Sequence, residues 1–172
     1  MATAVYSPTV AAATGWTDST NVEVDDANNA SDILVGMVTG NTISIPFAVN
    51  IDDTATIVGI SFNVQRGASN ASIKDDTVQI EVNYSPGTNK ASATPWTSPT
   101  QLDYGNSSDL HGLGPIAVAD IEASCVVLIT AKNTLGTTET AYLDYVELTI
   151  HYTLPGGGTA TKTFHMMQQG MT

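Results

Sequence analysis

The sequence predicts an all-β domain, an antiparallel two-sheet β-sandwich of about eight strands with a jelly-roll-like arrangement. Three observations predict it. Apolar and polar residues alternate with period two over several segments, which is the signature of a sheet with one buried and one wet face. Helical periodicity is nearly absent. The segments are separated by Gly, Pro, Asn and Asp clusters such as Asp52-Asp53, Gly67–Asn70, Ser85-Pro86-Gly87 and Gly112–Pro115. Strands of this number joined by long crossing connections suit a sandwich.

In chain order, weak strand signals lie at Asn21–Val24 and Ile33–Val38. Ile43, Ile45, Phe47 and Val49 then alternate with polar or small neighbours, with Pro46 marking an edge or a bulge. Val58, Ile60, Phe62 and Val64 form the next strand, and Val78, Ile80, Val82 and Tyr84 the one after. A weaker strand is expected at Trp96–Leu102. A short helical turn around Ile116–Ala123 follows Pro115. Cys125–Ile129 is continuously apolar, so a central strand covered on both faces is expected. Val146, Leu148, Ile150 and Tyr152 give the last strand. The predicted organisation is an N-terminal arm over 1–14, the sandwich over 15–154, and a Gly-rich hinge with a C-terminal arm or hairpin strand over 155–172. No internal repeat is visible.

The chain has 172 residues, 17 acidic against 5 basic, for a net charge of −12. The scattered basic residues cannot neutralise a run of phosphates, which argues against nucleic acid. The same charge argues against an anionic membrane surface, and no apolar run reaches the ~20 residues that span a bilayer. Met1–Gly15 lacks the basic and apolar regions of a signal peptide. Charged residues are only 13% of the chain. Short neutral polar groups replace them, and these cost less to bury against a partner than charges do.

Candidate chemistry is sparse. His111 falls in a loop, His151 on the polar face of a strand and His165 near the C-terminus, none with a partner at metal-ligand spacing. No nucleophile elbow, P-loop or dinucleotide fingerprint occurs. No catalytic residue, metal site or cofactor is therefore expected. The doublets Asp25-Asp26, Asp52-Asp53 and Asp75-Asp76 read as solvated turn carboxylates before calcium ligands. Cys125 reads as a buried structural thiol. Trp16 and Trp96 read as caps closing the open end of the sandwich or, alternatively, as faces that stack on sugars. Four Asn-x-Ser sequons, at Asn29, Asn70, Asn83 and Asn106, are what chance gives in so polar a chain.

Beyond Leu154-Pro155-Gly156-Gly157-Gly158 the composition changes. Thr159–Thr172 carries Lys162, Phe164, Met166, Met167 and Met171 and no acidic side chain. It suits an arm that docks on a neighbouring subunit, with Lys162, Phe164, Met166 and Met167 as the contacts, or a hairpin strand of the sandwich.

Two stretches carry a resemblance. Tyr104-Gly105-Asn106-Ser107-Ser108-Asp109-Leu110-His111-Gly112, with Ala119-Asp120-Ile121, Ala131-Lys132-Asn133, Thr140–Val146 and Thr149–Thr153, resembles the C-terminal half of a β-sandwich module of tailed-bacteriophage virion proteins. Gly15-Trp16-Thr17, Asp25-Asp26, Ser44-Ile45-Pro46 and Ala55–Ile60 resemble its N-terminal half. The family pattern has Trp where this chain has His111. The resemblance implies a virion structural protein. The acidity and expected arms then point to a capsid decoration (cement) protein on the outer capsid surface. Its partners would be the major capsid protein and its own copies, a trimer being favoured by capsid symmetry. A carbohydrate-binding, host-attachment module of the tail or baseplate is the alternative.

Overall fold

The computed structural model describes residues 1–9, 11–97 and 99–157. Ten strands form two antiparallel sheets: β1 (Ala2–Tyr6), β2 (Ala12–Ala13), β3 (Ala30–Val35), β4 (Thr39–Pro46), β5 (Thr56–Ala68), β6 (Ile73–Val82), β7 (Ser85–Pro86), β8 (Thr100–Asn106), β9 (Cys125–Asn133) and β10 (Thr138–Thr153). One sheet runs β1-β10-β5-β8, with β3 also pairing β10. The other runs β2-β4-β9-β6-β7. Set β2 and β3 aside, and each sheet interleaves early and late strands of the chain, the double Greek key of a jelly roll.

The predicted alternation sets the core. Ile43 and Ile45 from β4, Phe62 and Val64 from β5, Val78 and Ile80 from β6, and Val146, Leu148 and Ile150 from β10 all point between the sheets and are buried. Phe62 stacks on Tyr104 at 5.3 Å between ring centroids. The core residues lie between Ala11 and Tyr152.

Several expectations change. Residues 1–14 are not a free arm: β1 pairs with β10 from Ala2↔Tyr152 to Tyr6↔Leu148, and β2 pairs with β4. The small alanines of β1 conceal its alternation. Asn21–Val24 is not a strand; Ser19–Glu23 is a 3-10 turn that follows Asp18 in left-handed backbone and buries Val22 alone. The strand expected from Trp96 begins at Thr100, because Trp96 leaves the sheet to enter the core. β9 is central, but its second face is only half-buried at Val126, Leu128 and Lys132. In β5 a bulge leaves Val58 unpaired, so Ile57 takes the buried position beside Tyr152. The short helix is present as α1 (Val118–Ala123). Pro46 is the last residue of β4, where its missing N–H costs the ladder little. The expected C-terminal arm, with Lys162, Phe164, Met166 and Met167, lies outside the described residues.

Candidate functional site

The outer face of the first sheet is where polar side chains converge. Three strands align them in rungs: Tyr145–Gln65–Gln101, Glu147–Asn63–Asp103 and Thr149–Ser61–Gly105, each reading β10, β5, β8. Period-two geometry sends all of these outward together. All but Gln65 line the floor of an open groove of about 510 Å³, bounded by Asp25 at one end and by Asn106, Ser107 and His151 at the other.

Local hydrogen bonds hold the floor in place. Asn63 Nδ2 donates to Asp103 Oδ1 at 2.6 Å, and Gln65 Nε2 donates to Asp144 Oδ2 at 2.6 Å. Ser61 Oγ and His151 Nε2 lie 3.0 Å apart. The Tyr145 hydroxyl and Ser7 Oγ lie 3.0 Å apart, which anchors the half-buried Tyr145 ring on the groove floor. Among the described residues, the Glu147 carboxylate and the Thr149 hydroxyl make no hydrogen bond to protein. Both are free for a ligand.

Two glycines shape the lower wall. A Cβ on Gly59 would strike the Ser107 carbonyl carbon, so only glycine lets the Asn106–Ser107 turn pack there. Gly105 has φ +78, and a Cβ on it would strike the Ile60 carbonyl and the His111 ring. His111 lies directly beneath. It is fully buried, stacks on Phe62 at 5.6 Å, and its Nε2–H donates to Ile60 O at 3.0 Å. Its Nδ1 has no partner among the described residues. Here His111 takes the structural place of an aromatic plug.

Burial lowers the His111 pKa below its ordinary 6.5, and burial also lowers that of His151. The folded state therefore binds fewer protons than the unfolded chain below that pH, so stability falls as pH drops through it. His111→Asn keeps a residue tolerant of the φ of +52 found there. The variant is expected to be less stable at pH 7 but to lose less on going to pH 5. The difference is bounded by ~1.4 kcal/mol per pH unit. Parallel urea midpoints for the two proteins across that range would refute this account of His111.

The electrostatics of the groove are one-sided. Asp25, Asp103 and Glu147 line it, and among the described residues no lysine or arginine does. Burial, with Asp25 and Asp26 nearby, also raises the pKa of Asp144 at its rim.

The other candidates fall elsewhere. Trp16 is 6% exposed and Trp96 is 0% exposed. Trp16 Nε1 donates to Asn41 O at 2.8 Å, and Trp96 Nε1 donates to Asp75 Oδ1 at 2.7 Å. Both cap the core, so neither offers a face to a sugar. Asp26 and Asp52 serve local turns, accepting from the backbone N–H of Asn28 and Thr54. Asp75 is buried instead, so the solvated-turn reading fails there. Among the described residues no group of three or more His, Cys, Asp or Glu is placed to hold a metal ion. Cys125 is buried, and burial pushes its thiol up to about 12, which suits a structural and unreactive cysteine.

The groove residues were within reach of the sequence. Ser61, Asn63, Glu147, Thr149 and His151 occupy the polar positions of strands whose alternation is plain. Their convergence with Gln101 and Asp103 depends on β8, whose pattern is weak.

No protein-family model matches the chain, and no curated protein matches it. Among solved structures, one described as "CBM4 structure and function" is 16% identical, with a TM-score of 0.43 over 87% of this chain and 94% of that one. That degree of likeness carries no functional assignment.

Proposed function

We propose that the chain is a non-catalytic binding module whose outer sheet face holds an uncharged, hydroxyl-rich oligosaccharide. The observation that carries this is the groove of three rungs. Amides, carboxylates and hydroxyls alternate across it, matching the paired donors and acceptors of vicinal sugar hydroxyls. Tyr145 supplies one ring face on which a sugar can stack. An open channel along a sheet suits a segment of polymer better than an enclosed small molecule, whose sites are concave and mostly apolar. Three carboxylates with no countering cation among the described residues disfavour uronates, sulfated glycans and nucleic acids.

Titration calorimetry against neutral and acidic polysaccharides tests the reading. Binding should be confined to neutral chains and should release no new reducing ends. Absence of binding across the neutral panel, or a preference for acidic glycans, would contradict it.

One observation favours a second reading, the capsid decoration protein of the virion resemblance, bound to the major capsid protein on the outer capsid surface. The exposed apolar residues Ile33, Val35 and Met37 offer an assembly surface. Immunolabelling of purified particles tests it, and signal confined to the tail would reject it.

A further inference from the structure

β3 pairs with β10, and on its other edge Ser31 is bonded to Thr17, so among the described residues that edge is open from Ile33 onward. Its outward side chains are apolar and exposed, Ile33 at 64% and Val35 at 67%. Met37 follows at 74% and Val38 at 41%. Leu135, 48% exposed, belongs to the neighbouring turn, which the Gly36 N–H to Thr137 O bond of 3.2 Å ties to the end of β3.

Edge strands are normally protected by lysine, proline, a bulge or an inward-pointing charge that resists pairing. β3 has no lysine or proline. Its one charge, Asp32, is buried and satisfied by the Asn41 backbone N–H at 2.8 Å and Asn41 Nδ2 at 3.0 Å.

The chain carries a segment suited to that edge. Residues 159–172 hold Phe164, Met166, Met167 and Met171, one lysine and no acidic side chain, whereas the whole chain has a net charge of −12. The segment can approach an acidic domain with little repulsion, while two bare domains repel. Its threonines and Phe164 favour extended backbone.

Length argues that the acceptor belongs to another copy. Ile33 pairs opposite Thr140, and β10 ends at Thr153. At the strand rise this puts Ile33 roughly 43 Å back along β10 from the chain's exit. A fully stretched chain takes Phe164 at most roughly 40 Å from Thr153, so Phe164 cannot pack on Ile33 of its own domain, even though the later methionines could span that distance. β1 also occupies the flank of β10 beside the exit.

We propose that residues 159–172 of one copy add as a strand to the open edge of β3 in a second copy, Phe164 and Met166 or Met167 packing on Ile33, Val35 and Met37. The contact is head-to-tail, using different surfaces on the two copies. It does not depend on what the groove binds.

Sedimentation velocity on the full chain and two variants tests it. One variant ends at Gly156 and so keeps every core residue. The other carries Ile33→Lys and Val35→Lys at exposed positions. The full chain should self-associate, and each variant alone should be monomeric, its self-association weakened by at least ~10-fold. Mixed, they should form a one-to-one dimer, because one keeps a free edge and the other a free segment. A monomeric full chain, continued association of the truncated chain, or failure of the mixture to dimerise would each overturn the proposal.

Discussion

Replacing Asp75 with alanine is expected to lower the unfolding free energy by about 3–5 kcal/mol, the usual cost of stripping one partner from a buried ion pair. Asp75 is 2% exposed and gathers four donors. Arg66 Nη1 pairs with Oδ1, Trp96 Nε1 donates to the same oxygen at 2.7 Å, and the Tyr104 hydroxyl and the Ser92 N–H donate to Oδ2 at 2.7 Å each. The Arg66 guanidinium, itself 2% exposed, lies 5.1 Å from the Trp96 ring centre and 5.9 Å from that of Tyr104. Burial pulls its pKa down from the ordinary value. Without Asp75 that charge is stranded between two aromatic rings and three polar hydrogens, on Trp96, Tyr104 and Ser92, lose their acceptor. Domains of this kind hold only ~5–15 kcal/mol in total, so the variant should unfold at markedly lower urea. Adding Arg66→Met should recover part of the loss by removing the stranded charge. A cost below ~1 kcal/mol for Asp75→Ala would place the cluster among surface-like ion pairs and contradict its role as a tie between the sheets.

The second large effect concerns the groove. Tyr145→Ala removes the ring face and is expected to weaken oligosaccharide binding by about 10-fold, since one aromatic contact is worth ~0.5–1.5 kcal/mol beyond its buried area. The ring is half-buried on an outer strand face, so the melting temperature should move little. Asp103→Ala should weaken binding by a comparable factor, because Asn63 loses the partner that fixes its amide. Calorimetry on the two variants reads both effects. Undiminished affinity in both would show that the ligand does not lie across the rungs.

Much of this architecture is legible in the sequence, for a physical reason. β5, β6 and β10 each bury a run of large apolar residues against a polar row, broken by Arg66 in β5 and Asp75 in β6, so the two-fold period survives inspection. β1 and β3 escape notice because their inward positions are filled differently. β1 turns alanines inward, and β3 turns Ala30, Asp32 and Leu34 inward while Ile33 and Val35 face water. Asp75 shares strand parity with Ile73, a sign of its buried position, but its neighbour Asp76 makes the pair look like a turn. The groove is hard to read because its rungs join residues far apart in the chain, as in Tyr145–Gln65–Gln101, and register between distant strands is not written in local pattern. Trp16 and Trp96 lie in loop-like stretches yet cap the core, as the first of their two sequence readings has it, because indoles of that size pack inward once their N–H finds an acceptor.

The most direct test of the groove as a binding site is amide and side-chain chemical-shift mapping during titration with a neutral oligosaccharide. The account expects the largest changes at Ser61, Asn63, Gln101, Asp103, Tyr145, Glu147 and Thr149, with the outer face of β6 and β9 unchanged. Shifts confined to the second sheet or to the loops at its ends, with those seven residues silent, would contradict it.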